Sequence, residues 1–239
     1  MKILTINRTK RMMVSRAVNI PRKVHFWSVT PSIGKHKKED SIALITVLRD
    51  YLHLGDKERE VTRIINTGKV KIDGKIVKER RYSVGFMDLI HIDGLDSDYR
   101  VQYDTKGRLT LVKQEGQGSS SKLVKIVGKK DEGAGKYLIS FHDGQNVLSE
   151  NKDLKPGDVL LVSLPDKKIE QVLKLQPGNK VFLTGGSHVG KIATIKKIEV
   201  KESSHSNMLT LEEGFGTVVD YAFVVGNNKF QYEISEVEN

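Results

Sequence analysis

The chain has 239 residues, with 40 Lys and Arg against 30 Asp and Glu, and its formal net charge of +10 favours a polyanionic partner such as a nucleic acid. It contains no cysteine, which excludes disulfides, catalytic thiols and thiolate-bound metals. No apolar run reaches the roughly 18 residues of a membrane-spanning helix, and the apolar start at 1–6 is too short for a signal peptide. We therefore expect a cytoplasmic protein without a membrane partner.

The basic excess is concentrated at the N-terminus. Residues 1–38 carry ten Lys and Arg and no acid, so the rest of the chain is balanced at 30 of each. We expect such an arm, 1–40, to take its shape only against neutralising charge, which RNA would supply. A solvated tail or a localisation signal is the alternative. Its candidate RNA contacts are Lys10, Arg11, Arg16, Arg22, Lys23, Trp27, Lys35, His36, Lys37 and Lys38.

Two aromatic side chains interrupt the basic arm. Phe26 and Trp27, the chain's only tryptophan, lie among the cations. Flat rings beside Lys and Arg are typical of surfaces that stack on bases and bind phosphates. Packing of Trp27 against the following domain is the competing interpretation.

Two helices are predicted after the arm. Apolar residues recur at helical spacing from Ser41 until Gly55, which predicts a helix buried on two sides. Asp56 is a suitable N-cap for a second helix, from Lys57 to about Asn66, and Gly68 would end it.

The second predicted helix has one cationic and one apolar face. At 100° per residue, Arg59 and Arg63 lie about 40° apart, whereas Val61, Ile64 and Ile65 lie on the other side. The arginines should therefore point away from the core. A solvated arginine pair is the alternative to an RNA contact.

A basic hairpin follows the second helix. The strands at 70–72 and 75–77 flank an Asp73–Gly74 turn, a strong hairpin signal. We predict that helix and hairpin present one cationic surface to RNA. Its candidate residues are Arg59, Arg63, Lys69, Lys71, Lys75, Lys78, Arg80 and Arg81.

The segment from Arg59 to Val77 resembles the alpha-L RNA-binding domain found in many RNA-handling proteins. The resemblance covers roughly residues 41–94, with 84–92 as the closing turn and strand. Val61 replaces the usual small residue of the second helix, a departure that affects packing more than RNA contact.

The second half of the chain predicts β-structure. Beyond Tyr99, short apolar runs replace the helical period, and turn residues separate most of them, which indicates two small β domains. The runs are 123–127, 137–141, 159–164, 181–184, 192–200, 208–211, 221–225 and 230–234. The compositions of 114–122 and 128–135 predict exposed flexible loops.

One glycine-rich segment imitates a nucleotide-binding loop. Residues 185–191 match the spacing of a phosphate-cradling loop up to Lys191, but Ile192 replaces the Mg²⁺-binding hydroxyl and continues as a strand. Residues 177–200 instead resemble the KOW motif, a hairpin of an SH3-like barrel, with Gly190 in its turn. The resemblance implies that His188 and Lys191 contact RNA backbone; solvent-facing turn residues are the alternative.

No catalytic or metal site is predicted. The seven histidines lack metal-ligand spacing, and the sequence has no nucleophile elbow or paired-carboxylate motif. We interpret Phe141–Gly144 as a hairpin turn rather than an acid–base pair. We therefore expect no cofactor, no metal, no catalytic residue and no enzyme activity.

The order of these parts resembles the small-subunit ribosomal S4e family over essentially the whole chain. The matching segments are 27–31, 41–44, 47–52, 84–88, 141–146 and 220–224. The resemblance implies an α+β multidomain protein with an extended basic arm (1–40), an alpha-L domain (41–98), a central β-barrel-like domain (99–174) and a C-terminal SH3-like KOW β-barrel (175–239). Residues 1–9 depart from the family's usual form, so a contact by Arg8 is not predicted.

The same resemblance implies a structural role in the small ribosomal subunit, with rRNA and neighbouring ribosomal proteins as partners and no small-molecule substrate. Two alternatives stay open. One is a non-ribosomal translation or transcription factor with a KOW domain. The other is an RNA-modifying enzyme or synthetase with an alpha-L handle, for which the remaining length leaves little room.

Overall fold

The computed structural model describes residues 8–95, 97–114, 120–133, 135–201, 206–227, 230–232, 234 and 236–237. The fold is mixed α/β, with many strands and few helices. Two compact units can be distinguished. The N-terminal unit comprises Met1–Gln102 and Arg108–Ser119, and the C-terminal unit comprises Tyr103–Gly107 and Ser120–Asn239.

The described part of the N-terminal unit has short 3-10 helices at Arg11–Met13 and Lys38–Asp40, and it also contains short strands and two α-helical segments. In chain order they are β1 (Arg8–Lys10), β2 (Trp27–Val29), β3 (Ser41–Ala43), α1 (Leu44–Thr46), α2 (Glu58–Asn66), β4 (Val70–Ile72), β5 (Lys75–Ile76), β6 (Ser83–Gly85), β7 (Leu89–Ile92), β8 (Asp98–Tyr103) and β9 (Leu109–Gln114). β1 pairs with β2 and β3 with β6, both antiparallel. A five-stranded sheet has the order β5-β4-β7-β8-β9.

The first helix starts later and ends earlier than predicted. Residues 41–43 form β3, and the helix consists of α1 followed by a π-helical turn, Val47–Tyr51. The N–H groups of Leu44 and Ile45 donate to carbonyls of residues 82 and 80, so the chain after β5 satisfies the helix start. Residues 41–48 are buried throughout, and an element apolar on all sides carries no period that separates strand from helix.

The described part of the basic arm, residues 8–40, is packed into the N-terminal unit. Ala17, Val18 and Ile20 are buried in its core. The N–H of Leu109 donates to the carbonyl of Ala17 at 2.7 Å, and the Asn19 N–H donates to the Tyr51 hydroxyl. This differs from the expectation that RNA supplies the arm's shape, because apolar burial and hydrogen bonds within the protein already define it.

The C-terminal unit is built from antiparallel strands. They are β10 (Ser121–Gly133), β11 (Lys136–Phe141), β12 (Asn146–Ser149), β13 (Val159–Ser163), β14 (Ile169–Leu173), β15 (Lys180–Leu183), β16 (Ile192–Glu199), β17 (Met208–Leu211), β18 (Gly216–Val218) and β19 (Ala222–Gly226). They form two five-stranded sheets, ordered β12-β11-β10-β13-β14 and β18-β17-β16-β15-β19.

Most of the predicted β runs are confirmed as strands of these sheets. The run at 230–234 instead provides one bridge, between Gly226 and Gln231. Residues 128–133, predicted to be a flexible loop, continue β10 with bulges near Gly128 and Gly133, since their backbone pairs with β11. The other predicted loop falls largely on 115–119, which lie outside the described residues.

A lysine connects the two sheets of the C-terminal unit. The Nζ of Lys125, on β10, donates to the carbonyls of Val219, Asp220 and Ala222 at 3.1, 2.8 and 2.8 Å. Burial lowers the pKa of Lys125 to about 8, and the Asp220 carboxylate opposes this shift. The three carbonyls replace the water that the ammonium loses.

Candidate nucleic-acid interface

Helix α2 places two arginines on its solvent face. Val61 and Ile65 are fully buried, whereas Arg59 and Arg63 are exposed. At the N-terminus, the Glu60 carboxylate accepts hydrogen bonds from the N–H groups of residues 56 and 57, so Lys57, rather than the predicted Asp56, is the N-cap residue. The rotational prediction from sequence is confirmed, and both guanidinium groups can reach an external ligand.

The β4–β5 hairpin carries further exposed cations. Asp73 and Gly74 have φ of 50° and 75°, as expected for a tight Asp-Gly turn. Lys69, Lys75 and Lys78 are exposed on either side of it. The predicted hairpin is therefore confirmed, and three ammonium groups accompany the α2 arginines. We call these five residues the helix–hairpin surface.

Two further cations predicted for this surface have acidic partners. Lys71 Nζ lies 2.9 Å from Asp93 Oδ1, and Arg80 pairs with Glu58. The hydrogen bond from Lys71 lowers the pKa of Asp93, with a smaller contribution from His91. Since these pairs are partly exposed, they are weakly bound and can exchange for a phosphate.

Three predicted RNA contacts are instead turned into the protein. Arg11 is 2% exposed, and its guanidinium lies 3.2 Å from the Asp50 carboxylate. Lys35 Nζ lies 2.6 Å from Asp73 and 2.9 Å from Asp88. His36 Nε2 lies 2.9 Å from the same Asp88. We therefore leave Arg11, Lys35 and His36 out of the RNA-facing set, because each is bound by a carboxylate inside the protein.

Two other arginines hold backbone rather than carboxylates. Arg22 donates to the carbonyls of Val14 and Ser15 at 2.6 and 2.9 Å. Arg81 donates from Nε to the carbonyl of Thr30 at 3.0 Å. Both side chains fix arm segments against their neighbours. Two of the cations predicted to contact RNA therefore bind backbone carbonyls of the protein.

The remaining predicted arm residues are exposed. Trp27 is 49% exposed and lies on β2, so part of its side chain is open to solvent. The cations on the outside of the arm are Lys10, Arg16, Lys23, Lys37 and Lys38. They stay candidates for phosphate contact.

The C-terminal unit presents the two KOW-like candidates in a loop. Lys191 is exposed, and the half-buried His188 ring stacks on Phe215 with centroids 3.9 Å apart. Ile192 starts β16, as predicted, so no helix N-terminus follows the loop to hold a phosphate. Gly190 has φ of 80° and faces the Asp104 backbone closely.

Three carboxylates that anchor the arm, those of Asp50, Asp73 and Asp88, were not predicted from the sequence. Asp73 was interpreted only as a turn residue, and Asp50 and Asp88 were not singled out. The sequence carried a signal for Asp88, because this acid lies in the apolar run 84–90, where burial is expected, and a buried carboxylate needs a partner. Asp88 is indeed fully buried. An acid-free arm nearby supplies that partner.

Metal-ligand clusters and membrane-spanning helices are both absent from the described part of the chain. No group of three or more His, Asp or Glu side chains there could hold a metal ion. Within the same residues, no helix is both long and apolar enough to cross a bilayer.

The comparisons with known proteins agree with this architecture. Residues 95–169 match the family model described as Ribosomal family S4e. Small ribosomal subunit protein eS4 of Thermoplasma volcanium is 49% identical over 233 residues, covering 98% of both chains. The eS4 protein of Picrophilus torridus is 50% identical over 231 residues, covering 97% of this chain and 98% of its own.

A solved structure is also similar. The crystal structure of the 30S ribosomal protein S4e from Thermoplasma acidophilum has a TM-score of 0.73 and 45% sequence identity. It covers 81% of this chain and 99% of its own chain.

Proposed function

Because the chain belongs to the ribosomal S4e family, we propose that it is a structural constituent of the small ribosomal subunit and binds rRNA there. Its relatives are named as small-subunit ribosomal proteins, and the similarity covers nearly the whole length of both chains. The place of action is then the cytoplasmic ribosome, and the partners are rRNA and neighbouring ribosomal proteins. The family is one of ribosomal proteins rather than of enzymes, and this role requires no catalysis.

The observation that carries the RNA-binding proposal is the helix–hairpin surface. Arg59 and Arg63 point outward from α2 while Val61 and Ile65 fix the opposite face in the core. This arrangement supports an alpha-L RNA-binding domain at 41–98. Exposed cations on a rigid helix and hairpin fit the phosphates of folded RNA better than they fit base edges, because A-form RNA is recognised largely by shape and backbone.

The proposal divides the chain into four parts. The arm (1–40) and alpha-L domain (41–98) supply the helix–hairpin surface and the exposed arm cations. The central β domain (99–174) and the KOW-type β-barrel (175–239) complete the chain. One antiparallel sheet lies between Ser121 and Leu173 and the other between Lys180 and Gly226, which supports a boundary near residue 174. Strands β8 and β9 lie in the proposed central part but belong to the sheet of the N-terminal unit. His188 and Lys191 are the proposed RNA contacts of the last part.

The experiment neutralises Arg59 and Arg63 together by substitution with Gln and measures binding to a small-subunit rRNA fragment over a range of salt. Each lost phosphate contact should flatten the plot of log affinity against log salt by about 0.7–0.9, so the double variant should lose about 1.4–1.8 in slope. The arm is not deleted in this test, since its buried residues are part of the fold.

The matched control is Lys174→Gln with Lys196→Gln, which removes the same charge from two exposed positions of the C-terminal unit. Its slope should stay near that of the unaltered protein. If the unaltered protein, the arginine variant and the lysine control all had the same salt slope, α2 would not be part of the RNA interface. Equal losses in both variants would mean that only net charge matters.

A further inference from the structure

The first pair of strands has an outer face that carries a cation and an aromatic ring. In the β1–β2 register Lys10 lies opposite Trp27, and Thr9 lies opposite Ser28. Directly opposed residues share a face of the ribbon, and successive residues alternate between faces. Ser28 is 6% exposed, so its face is the inner one. Lys10 and Trp27 therefore project together from the outer face.

Phe26 extends this outer face. Its ring centroid lies 4.8 Å from that of Trp27 at an interplanar angle of 84°, and Lys10 Nζ lies 5.6 Å from the Phe26 ring. Phe26 is 63% exposed and Trp27 49%. We call these three residues the aromatic platform. Two large rings left in water at one place mark an interaction surface, because their burial would be favourable.

The charge of the segment that carries the aromatic platform favours RNA over protein as the occupant. Residues 1–38 contain no Asp or Glu, and the exposed cations Arg16 and Lys23 belong to the same arm. A nucleotide has both complementary parts, a flat base for a ring and a phosphate for an ammonium. Bases within a duplex are stacked on each other, so a ring on the protein surface suits an unpaired base.

The aromatic platform is held in place without RNA. The N–H of Arg11 donates to the carbonyl of Phe26 at 2.9 Å, and the Arg11 side chain is buried against Asp50. Arg22 fastens the loop that joins the two strands through the carbonyls of Val14 and Ser15. A rigid aromatic surface loses little conformational entropy on binding, which improves its use as a stacking site.

We propose that the aromatic platform is a preformed stacking site for an unpaired RNA base, with Lys10 positioned for the adjoining phosphate. This inference rests on the proposed RNA-binding function and adds the class of nucleotide recognised. The helix–hairpin surface binds phosphates of folded RNA, whereas the aromatic platform selects a single-stranded or looped-out nucleotide.

The only tryptophan of the chain makes the test direct, since all tryptophan fluorescence comes from Trp27. The full chain is titrated with a short mixed-sequence RNA strand and with the blunt duplex of the same length. Stacking should quench Trp27 fluorescence and protect it from acrylamide with the single strand. The duplex should bind through phosphates and leave both signals nearly unchanged.

Variants are compared by the anisotropy of a labelled single strand. Trp27→Ala should weaken binding about 5- to 150-fold, the range that follows from 1–3 kcal/mol per stacked base. Trp27→Phe keeps a ring and should retain most of the affinity. Ile33→Ala removes another exposed apolar side chain of the arm, 99% exposed, and should bind as the unaltered protein does.

The outcomes separate the two proposals. If single strand and duplex both bind but Trp27 fluorescence and the Trp27→Ala affinity do not change, base stacking is overturned and the phosphate interface stands. If neither this single strand, this duplex nor the small-subunit rRNA fragment binds, the RNA-binding function itself fails and the stacking site fails with it. Equal weakening of single strand and duplex by Trp27→Ala would also overturn the stacking site.

Discussion

Lys35 tests whether the arm is anchored by charge within the protein. Its ammonium lies between two buried carboxylates, 2.6 Å from Asp73 and 2.9 Å from Asp88. Lys37, two residues later, is exposed. Lys35→Met and Lys37→Met therefore remove the same charge from the same segment, but only the first takes a cation away from buried carboxylates.

The expected magnitude follows from the surroundings of the two carboxylates. Removing one partner of a buried ion pair costs about 3–5 kcal/mol. Asp73 still accepts the Leu89 N–H at 3.0 Å. Asp88 still accepts the Gly85 N–H at 3.1 Å and keeps His36 Nε2 at 2.9 Å, so the lower end applies. We expect Lys35→Met to lower the free energy of unfolding by about 3 kcal/mol. Lys37→Met should stay within about 0.5 kcal/mol of the unaltered protein.

The assay is urea unfolding at neutral pH, followed by circular dichroism and by the fluorescence of Trp27, which reports on the arm. A double variant, Lys35→Met with Asp88→Asn, removes one of the carboxylates that lost its cation, and its destabilisation should be smaller than the sum of the two single effects. Under folded conditions Lys37→Met, but not Lys35→Met, should flatten the salt dependence of RNA binding. Equal stabilities of the two lysine variants would refute the anchoring role of Lys35.

Two further predictions concern the C-terminal unit. Gly190→Ala should destabilise it by about 2–4 kcal/mol, because the new Cβ would lie 2.5 Å from the Asp104 carbonyl oxygen and the residue has φ of 80°. The control is Gly178→Ala, where φ is 86° but the space is open, and it should cost only about 1 kcal/mol. Thermal unfolding measures both costs, and equal costs would contradict the close approach of Gly190 to Asp104. The pKa of Lys125 is lowered by burial from 10.5 to about 8, so the unfolded chain binds more protons between these values and stability should rise with pH across this window, by at most about 3 kcal/mol. Lys125→Met should lose this rise when unfolding is measured from pH 8 to 10.5; an unchanged pH profile would show that Lys125 keeps its ordinary affinity for the proton.

Local sequence signals predicted the elements whose hydrogen bonds and faces are decided nearby. The period of α2 separated Arg59 and Arg63 from the buried Val61 and Ile65, and the Asp73–Gly74 dipeptide located the hairpin turn. Both signals are local because a helix face repeats every few residues and a two-residue turn needs positive φ. Most of the apolar runs in the second half are strands, and these too were predicted from local signals, namely short apolar runs separated by turn residues.

Only the tertiary structure decided where the arm's cations go. Composition showed that residues 1–38 lack acids, and it could not show that Asp50, Asp73 and Asp88 lie beside Arg11, Lys35 and His36. Those carboxylates come from separate elements of the N-terminal unit, so folding alone brings them to the arm. The physical reason is that an ion pair depends on distance in space, whereas composition reports charge along the chain.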